Sequence, residues 1–463
     1  MAVPGVIAVV PMDDAVSVVA DGYWNARKGL QALAPVWDEG AMATADDASI
    51  LERHVNALEG TLPLAEAQGD APAVLAAAGK RIEAEYSAPF LAHATMEPMN
   101  ATARIHPDGA EIWAPTQAQG PTQQGVAEML GVEPGKVAVH TTFLGGGFGR
   151  RFEFDFVRYA VLTAQASGHT VKLIWPREED IRHDFYRPRS LVRFSASLDE
   201  SGLPHAIHAR AASASIMQRV FTSMVENGID PTSVEGLIEH PYTIPNYRVE
   251  HAIVDAGIPV GFWRSVGNSQ NAHFREAFLD ELAREAGMDP LDYRMRLLDG
   301  KPRHAAVLKK AAEMAGWGTE TAAGRYRGLA LHESYGSIVA EVVEISLASR
   351  TVRVHEVWCA VDCGTVVNPD TVEAQMESGI VFGLTAALMG EINIERGRVK
   401  QSNFPDYPML TLGTTPRIHT HIMESSEPPG GVGEPSTPPI APAVANAVLI
   451  ATGEPVRSLP IRI

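Results

Sequence analysis

The stretch "EPPGGVGEPSTPPIAPAVANAV", Glu427 to Val448, restricts what this chain can fold into more than any other. Gly430, Gly431 and Gly433 admit backbone shapes barred to other residues, while Pro435, Pro438 and Pro439 stiffen the exit and preset the start of an apolar helix. One acid, Glu434, is held between the two clusters. A carboxylate so placed can approach a bound group closely and, against apolar surface, could serve as a base near neutral pH. The plain alternative is a solvated loop acid.

A chain of 463 residues exceeds one ordinary core, which predicts roughly two to four domains. Residues 1–40 read as two short strands, "VIAVV" and "VSVVA", and a helix, "DGYWNARKGLQAL", with Trp24, Leu30 and Leu33 near one face. A helix at "TADDASILERHVNAL" then leads into "AEAQGDAPAVLAAAG", which reads as a loose connection and the best linker. Strands are expected at "RIEAEYSAPF", "EIWAPTQ" and "KVAVHTT", with a helix ending near Leu130. The clearest helix runs from Ser269 to Ala286, with Phe274, Phe278 and Leu282 on one face and Gly287 as its stop. Near "TAAGRYRGLALHESYG" the pattern turns to strands, "IVAEVVEISLA" and "RVHEVWCAV". The fold class is therefore α+β, with several mixed sheets and helices, divided at 1–72, 73–318 and 319–463.

The net charge of -18 repels phosphate backbones and no basic block offsets it, so nucleic acid is not an expected partner. Apolar runs fall short of the ~18 residues of a membrane span. Cys359 and Cys363 sit four apart, too far along a strand to bridge, and read as small buried hydrophobes. The histidines of "HAIH" and "HTH" lack a third ligand at zinc spacing, and no nucleophile elbow is present. His93 and Glu97 stand one turn apart in "HATMEP", but Pro98 argues for a loop.

Two further segments suit an anion. In "TTFLGGGFGRRFEFDF" a glycine run, Gly145, Gly146, Gly147 and Gly149 with Phe148, follows a strand and opens a helix, with Arg150 and Arg151 adjacent. Arg150 stands where a dinucleotide fingerprint needs its third glycine, which counts against an NAD-binding dehydrogenase. In "GFWRSVGNSQNAHFREAF" Arg264 and Gly267 precede the clearest helix. Taken singly, each also reads as an ordinary turn or an exposed capping arginine.

In this order, "AHATMEP", "APTQ", "LGGGFGRR", "FWRSVGNSQ" and "GGVGEP" resemble the molybdenum hydroxylase (xanthine oxidase) family, specifically large subunits of the isoquinoline 1-oxidoreductase type. The resemblance implies a two-part unit holding molybdenum with molybdopterin cytosine dinucleotide, with no protein side chain as metal ligand. It implies insertion of water-derived oxygen into an electron-poor carbon of an N-heteroaromatic compound or an aldehyde. Glu434 would match the base that takes the proton from the metal-bound hydroxyl, and Gln117 the residue that hydrogen-bonds the apical oxo ligand. Arg264 would line the site, and Gly145, Gly146, Gly147, Phe148, Gly149, Arg150 and Gly433 would surround the cofactor. Two cysteines cannot ligate an iron–sulfur cluster that takes four, so two-iron two-sulfur clusters are expected in a small partner subunit.

Departures matter too. Arg151-Phe152 stands where purine-oxidising members have Lys-Glu, which argues against xanthine, and Arg264-Ser265 replaces Arg-Gly. The family's Gly-Gln-Gly cofactor motif occurs nowhere in the chain, whose first residues resemble the tail of a small α/β domain. The chain is therefore expected to be a fragment or one gene of a split subunit. The rival reading is a truncated, inactive scaffold that keeps the fold without the cofactor.

Overall fold

The computed structural model describes residues 3–463. Its largest sheet has five strands in the order Leu64–Gln68, Asn246–Ile253, Pro204–Ser213, Ser190–Leu198 and Ile82–Ala88. Only Pro204–Ser213 and Asn246–Ile253 run parallel within it. A second sheet orders Tyr326–Ser334, Ser337–Ala348, Thr351–Asp362 and Arg417–Ile422, with its last pair parallel. A third, smaller sheet orders Val137–Thr141, Gly109–Ala114, Asn100–His106 and Val171–Ile174. The architecture is mixed sheets with helices, as the alternating sequence patterns require.

The helix Asn268–Glu285 is the hub. Phe274, Phe278 and Leu282 are buried as its periodicity predicts, but so are its polar positions, because both large sheets pack around it in one apolar core. Its buried Glu276 accepts from Arg294 Nε at 2.9 Å and from the Tyr242 hydroxyl at 2.9 Å. A buried charge persists only when paired in this way. Beside it, helix Ile440–Thr452 lies so close to strand Tyr326–Ser334 that a Cβ on Gly328 would come within 2.2 Å of the Ala447 nitrogen. That helix follows Glu434 directly, so the acid hangs from an anchored element.

The N-terminal pattern holds in part. Strands Val6–Pro11 and Val16–Ala20 pair, and helix Tyr23–Leu33 follows, but Trp24 is 66% exposed and Leu33 39%, so of the expected apolar face only Leu30 is half-buried. The hairpin docks on helix Asp155–Ser167 through Ser17 Oγ and Thr163 Oγ1 at 2.8 Å. The expected loose linker is a correction. Its residues form strand Leu64–Gln68, hydrogen-bonded to Asn246–Ile253, and helix Ala71–Ala77, capped by Asp70. Its Ala-rich composition looked featureless because strand pairing satisfies its backbone from a partner far away in sequence. Cys359 and Cys363 are both buried free thiols. Among the described residues no helix is long and apolar enough to cross a membrane.

Candidate active site

Four loops meet at one end of the hub helix. After strand Gly109–Ala114, Gln117 turns its Oε1 to accept from the Gly149 amide at 3.2 Å, and its own amide N–H donates to the Arg151 carbonyl at 2.9 Å. The glycine run is tight for a steric reason. A Cβ on Gly147 would lie 2.5 Å from Gln117 Oε1, and one on Gly149, at φ 103°, would lie 1.7 Å from the Phe262 carbonyl oxygen. Among the described residues, the amides of Gly146, Gly147 and Phe148 donate to no protein group. Such amides are ready donors to an anion.

Phe148, at φ 56°, stacks on Phe382 with ring centres 4.5 Å apart, and Phe382 stacks on Trp263 at 4.6 Å. The Arg264 guanidinium stands 5.7 Å from the Phe148 ring centre. Arg264 is buried and donates to the Gly433 carbonyl at 2.7 Å, to Ser378 Oγ at 2.9 Å and to Gln375 Oε1 at 3.0 Å. Burial lowers it to about 10 while Glu434 opposes that shift, so it remains a cation at neutral pH.

The next residues take unusual shapes. Ser265 at φ 74° and Val266 at φ 48° are both left-handed, which is costly for a β-branched side chain. That turn aims the Ser265 amide at Glu434 Oε1 (2.8 Å) and the Ser265 hydroxyl at the Glu434 carbonyl (2.7 Å). Glu434 is therefore half-buried and fixed beside the turn, with Arg264 gripping the preceding residue.

Arg150 is a correction to the anion reading. It is 1% exposed, held by two bonds to Asp155 at 2.8 and 2.7 Å, and 3.1 Å from Asp184. Burial weakens its charged form, but Asp155, Asp184 and Asp180 outweigh that and raise it above its ordinary value. Arg151 is likewise buried, donating to the Gly146 carbonyl at 2.7 Å and to Glu97 Oε2 at 2.9 Å. Glu97 also takes the Gly145 amide at 2.8 Å. Asp184 further binds His93 Nδ1 at 2.9 Å, and His93 Nε2–H donates to the Phe262 carbonyl at 2.6 Å. The loop "HATMEP" thus ties the glycine run to the Arg264 turn. Both arginines brace the loop from behind, because adjacent acids consume their charge. Among the described residues no group of three or more His, Cys, Asp or Glu side chains is placed to ligate a metal.

Residues 54–298 and 276–416 each match the molybdopterin cofactor-binding domain. The chain belongs to that family. Among its relatives, isoquinoline 1-oxidoreductase subunit beta of Brevundimonas diminuta is 34% identical over 99% of this chain and 61% of that protein. The membrane-bound aldehyde dehydrogenase [pyrroloquinoline-quinone] of Gluconacetobacter polyoxogenes is 29% identical over 96% of this chain and 62% of its own length. The chain thus spans about three-fifths of these two relatives. Quinoline 2-oxidoreductase from Pseudomonas putida 86 superposes with a TM-score of 0.81 at 16% identity, over 99% of this chain and 90% of that one, which establishes the shared fold.

In this molybdopterin-binding chain the structure adds residues that sequence reading missed. Asn268, the first residue of the hub helix, donates to Glu235 Oε2 at 3.1 Å. Glu235 is pushed up to about 8 by burial first, then by Glu434, Asp230 and Glu239. Burial raises the Tyr335 phenol, with Glu434 and Glu235 adding to the shift and Asn268 opposing it. The only signal in the sequence was a pair of acids, Glu235 and Glu239, in "SVEGLIEH" with no lysine or arginine in the stretch. A cavity of about 420 Å³ lined by Val74, Ile82, Leu198, His205 and Glu285 lies between helix Ala71–Ala77 and the sheet edge, away from all these groups.

Proposed function

We propose that this chain is the catalytic, cofactor-carrying part of a molybdenum hydroxylase acting on N-heteroaromatic compounds or aldehydes. The observation that carries it is the fixed Glu434 carboxylate beside the Phe148 loop, two segments remote in sequence joined through Arg264. The residues fit the cofactor through neutral donors. The free amides of the glycine run and the exposed Gln117 side chain suit its phosphate and oxygen atoms, while Arg150 does not contribute.

When bound, the molybdenum cofactor would supply the oxygen-transfer and two-electron chemistry by which a C–H bond and a water give a C–OH group, two protons and two electrons. The chain's own part is proton transfer and positioning. Glu434 Oε1 is held by Ser265, which leaves Oε2 to receive a proton. Arg264 keeps the carboxylate from swinging away by gripping Gly433. The Phe148–Phe382–Trp263 stack gives the site an apolar wall against which a flat ring can lie. We assign the cofactor as the cytosine dinucleotide form, the two cofactor-binding parts as residues 73–318 and 319–463, and the electron acceptor as a small iron–sulfur subunit. The name of the Gluconacetobacter relative specifies pyrroloquinoline quinone, whereas both matched domains are molybdopterin-binding.

The test is Glu434→Gln in protein purified with its iron–sulfur partner. Turnover should fall by about 10²–10⁴-fold, the usual share of general-base catalysis, with molybdenum content unchanged. Normal turnover would refute the base assignment. Absence of molybdenum from the unaltered complex, by metal analysis and the paramagnetic resonance of its pentavalent state, would replace the enzyme by a scaffold.

A further inference from the structure

Glu235 is not an ordinary loop acid. Its segment is gripped by the hub helix, through Asn271 Nδ2 to the Glu235 carbonyl at 2.7 Å and Arg275 to the Gly236 carbonyl at 2.6 Å. Its side chain sits at the end of a hydrogen-bond relay whose direction is forced. Arg275 can only donate, so His332 Nδ1, 3.0 Å away, accepts. His332 is held neutral by burial and by Arg275, so its hydrogen is on Nε2 and is donated to Asn268 Oδ1 at 2.7 Å. That fixes the Asn268 amide with its NH₂ toward Glu235 Oε2, which must accept. The remaining oxygen, Oε1, has no hydrogen-bond partner among the described residues.

Glu235 and Glu434 flank one turn. Glu434 takes the amide at its start, Ser265, and Glu235 takes the side chain at its end, Asn268. Tyr335 packs on the Glu434 loop at Gly431, whose amide donates to the Tyr335 carbonyl at 2.8 Å.

We propose that Glu235 is a specificity-determining residue of this site, donating a hydrogen bond from Oε1 to the ring nitrogen of an N-heteroaromatic substrate. The assignment deepens the hydroxylase reading and rests on it. The charged groups bearing on the carboxyl are all acidic, Glu434, Asp230 and Glu239, and with burial they keep it protonated until about pH 8. No basic side chain is among the groups that shift it. His332 is neutral, Arg275 bonds His332 and Gly236 with its Nε 3.5 Å from Glu276, and Arg264 bonds Gly433, Ser378 and Gln375. With Oε2 accepting from Asn268, the acid proton resides on Oε1, the oxygen left free to donate to a pyridine-type lone pair. A plain aldehyde, lacking that nitrogen, gains less.

The test uses the purified holoprotein and two probes of one shape, isoquinoline and its nitrogen-free analogue naphthalene, with binding read by tryptophan fluorescence so that no turnover is needed. Wild type should prefer isoquinoline by roughly tenfold, the worth of one hydrogen bond. Glu235→Leu should erase the preference and Glu235→Gln, whose amide still donates, should keep it. In wild type the preference should fall as pH rises through about 8, and in Glu235→Gln it should not. A Glu235→Leu protein that retains the preference, or a wild type whose preference ignores pH, overturns the assignment. Should Glu235→Leu fail to fold, the pH contrast between wild type and Glu235→Gln decides. Normal turnover by Glu434→Gln would sink the hydroxylase reading instead, so the two failures are separable.

Discussion

Replacing Arg150 by methionine separates its internal role from a role in anion binding. In the folded chain Arg150 makes two charge-assisted bonds to Asp155, a third contact to Asp184, and stacks 5.5 Å over Trp175 and 5.4 Å over Phe185. Methionine fills much of the volume but leaves two carboxylates facing no cation at that point. Asp184, almost fully buried, keeps His93, and Asp155 is left without its main partner. Removing one member of such a buried pair costs about 3–5 kcal/mol. Adding Asp155→Leu removes the orphaned charge, so the double variant should recover a large part of that loss. The assay is urea unfolding followed by fluorescence, with molybdenum content measured on the same samples. A single variant as stable as wild type yet devoid of cofactor would refute the brace and restore Arg150 as a phosphate ligand.

Other expectations follow the same logic. Glu341, buried in strand Ser337–Ala348 with neither oxygen hydrogen-bonded, is raised well above the ordinary carboxylate range by burial. Its folded value exceeds its unfolded one, so the stability this carboxyl contributes is full below about pH 4.3 and declines by ~1.4 kcal/mol per pH unit until the folded value is reached. Unfolding curves of Glu341→Met should lack that slope, and parallel curves would contradict the account. Gly149→Ala, whose Cβ has no room, should lose at least ~1 kcal/mol in thermal melts together with its cofactor. Gly433→Ala meets nothing within 4 Å, so its melting should stay within ~0.5 kcal/mol of wild type while cofactor content drops if that backbone approaches the bound group.

Much of the fold was legible locally. The hub helix, the strand blocks after Tyr326 and the short strands at the N-terminus were readable because apolar periodicity and glycine stops are properties of neighbouring residues. The five motifs were legible as well, since glycine crowding and proline stiffness act within a few residues. Strand Leu64–Gln68 was not, because its bonds go to Asn246–Ile253 and an Ala-rich stretch carries no alternation to announce them. Arg150 was misread for a related reason, since whether a cation is free depends on which acids fold around it.

Order along the chain therefore settled which segments would be loops, which acid was held between glycines and prolines, and what family those loops resemble. Chain order could not decide that Glu434 would meet the Ser265 amide, that Arg264 would grip its loop, or that Glu235 would take the Asn268 side chain at the far end of the same turn. Those pairings join residues more than thirty and as many as 169 positions apart. Hydrogen bonds and desolvation act through space, and only the packing of both large sheets around one buried helix brings the partners within reach.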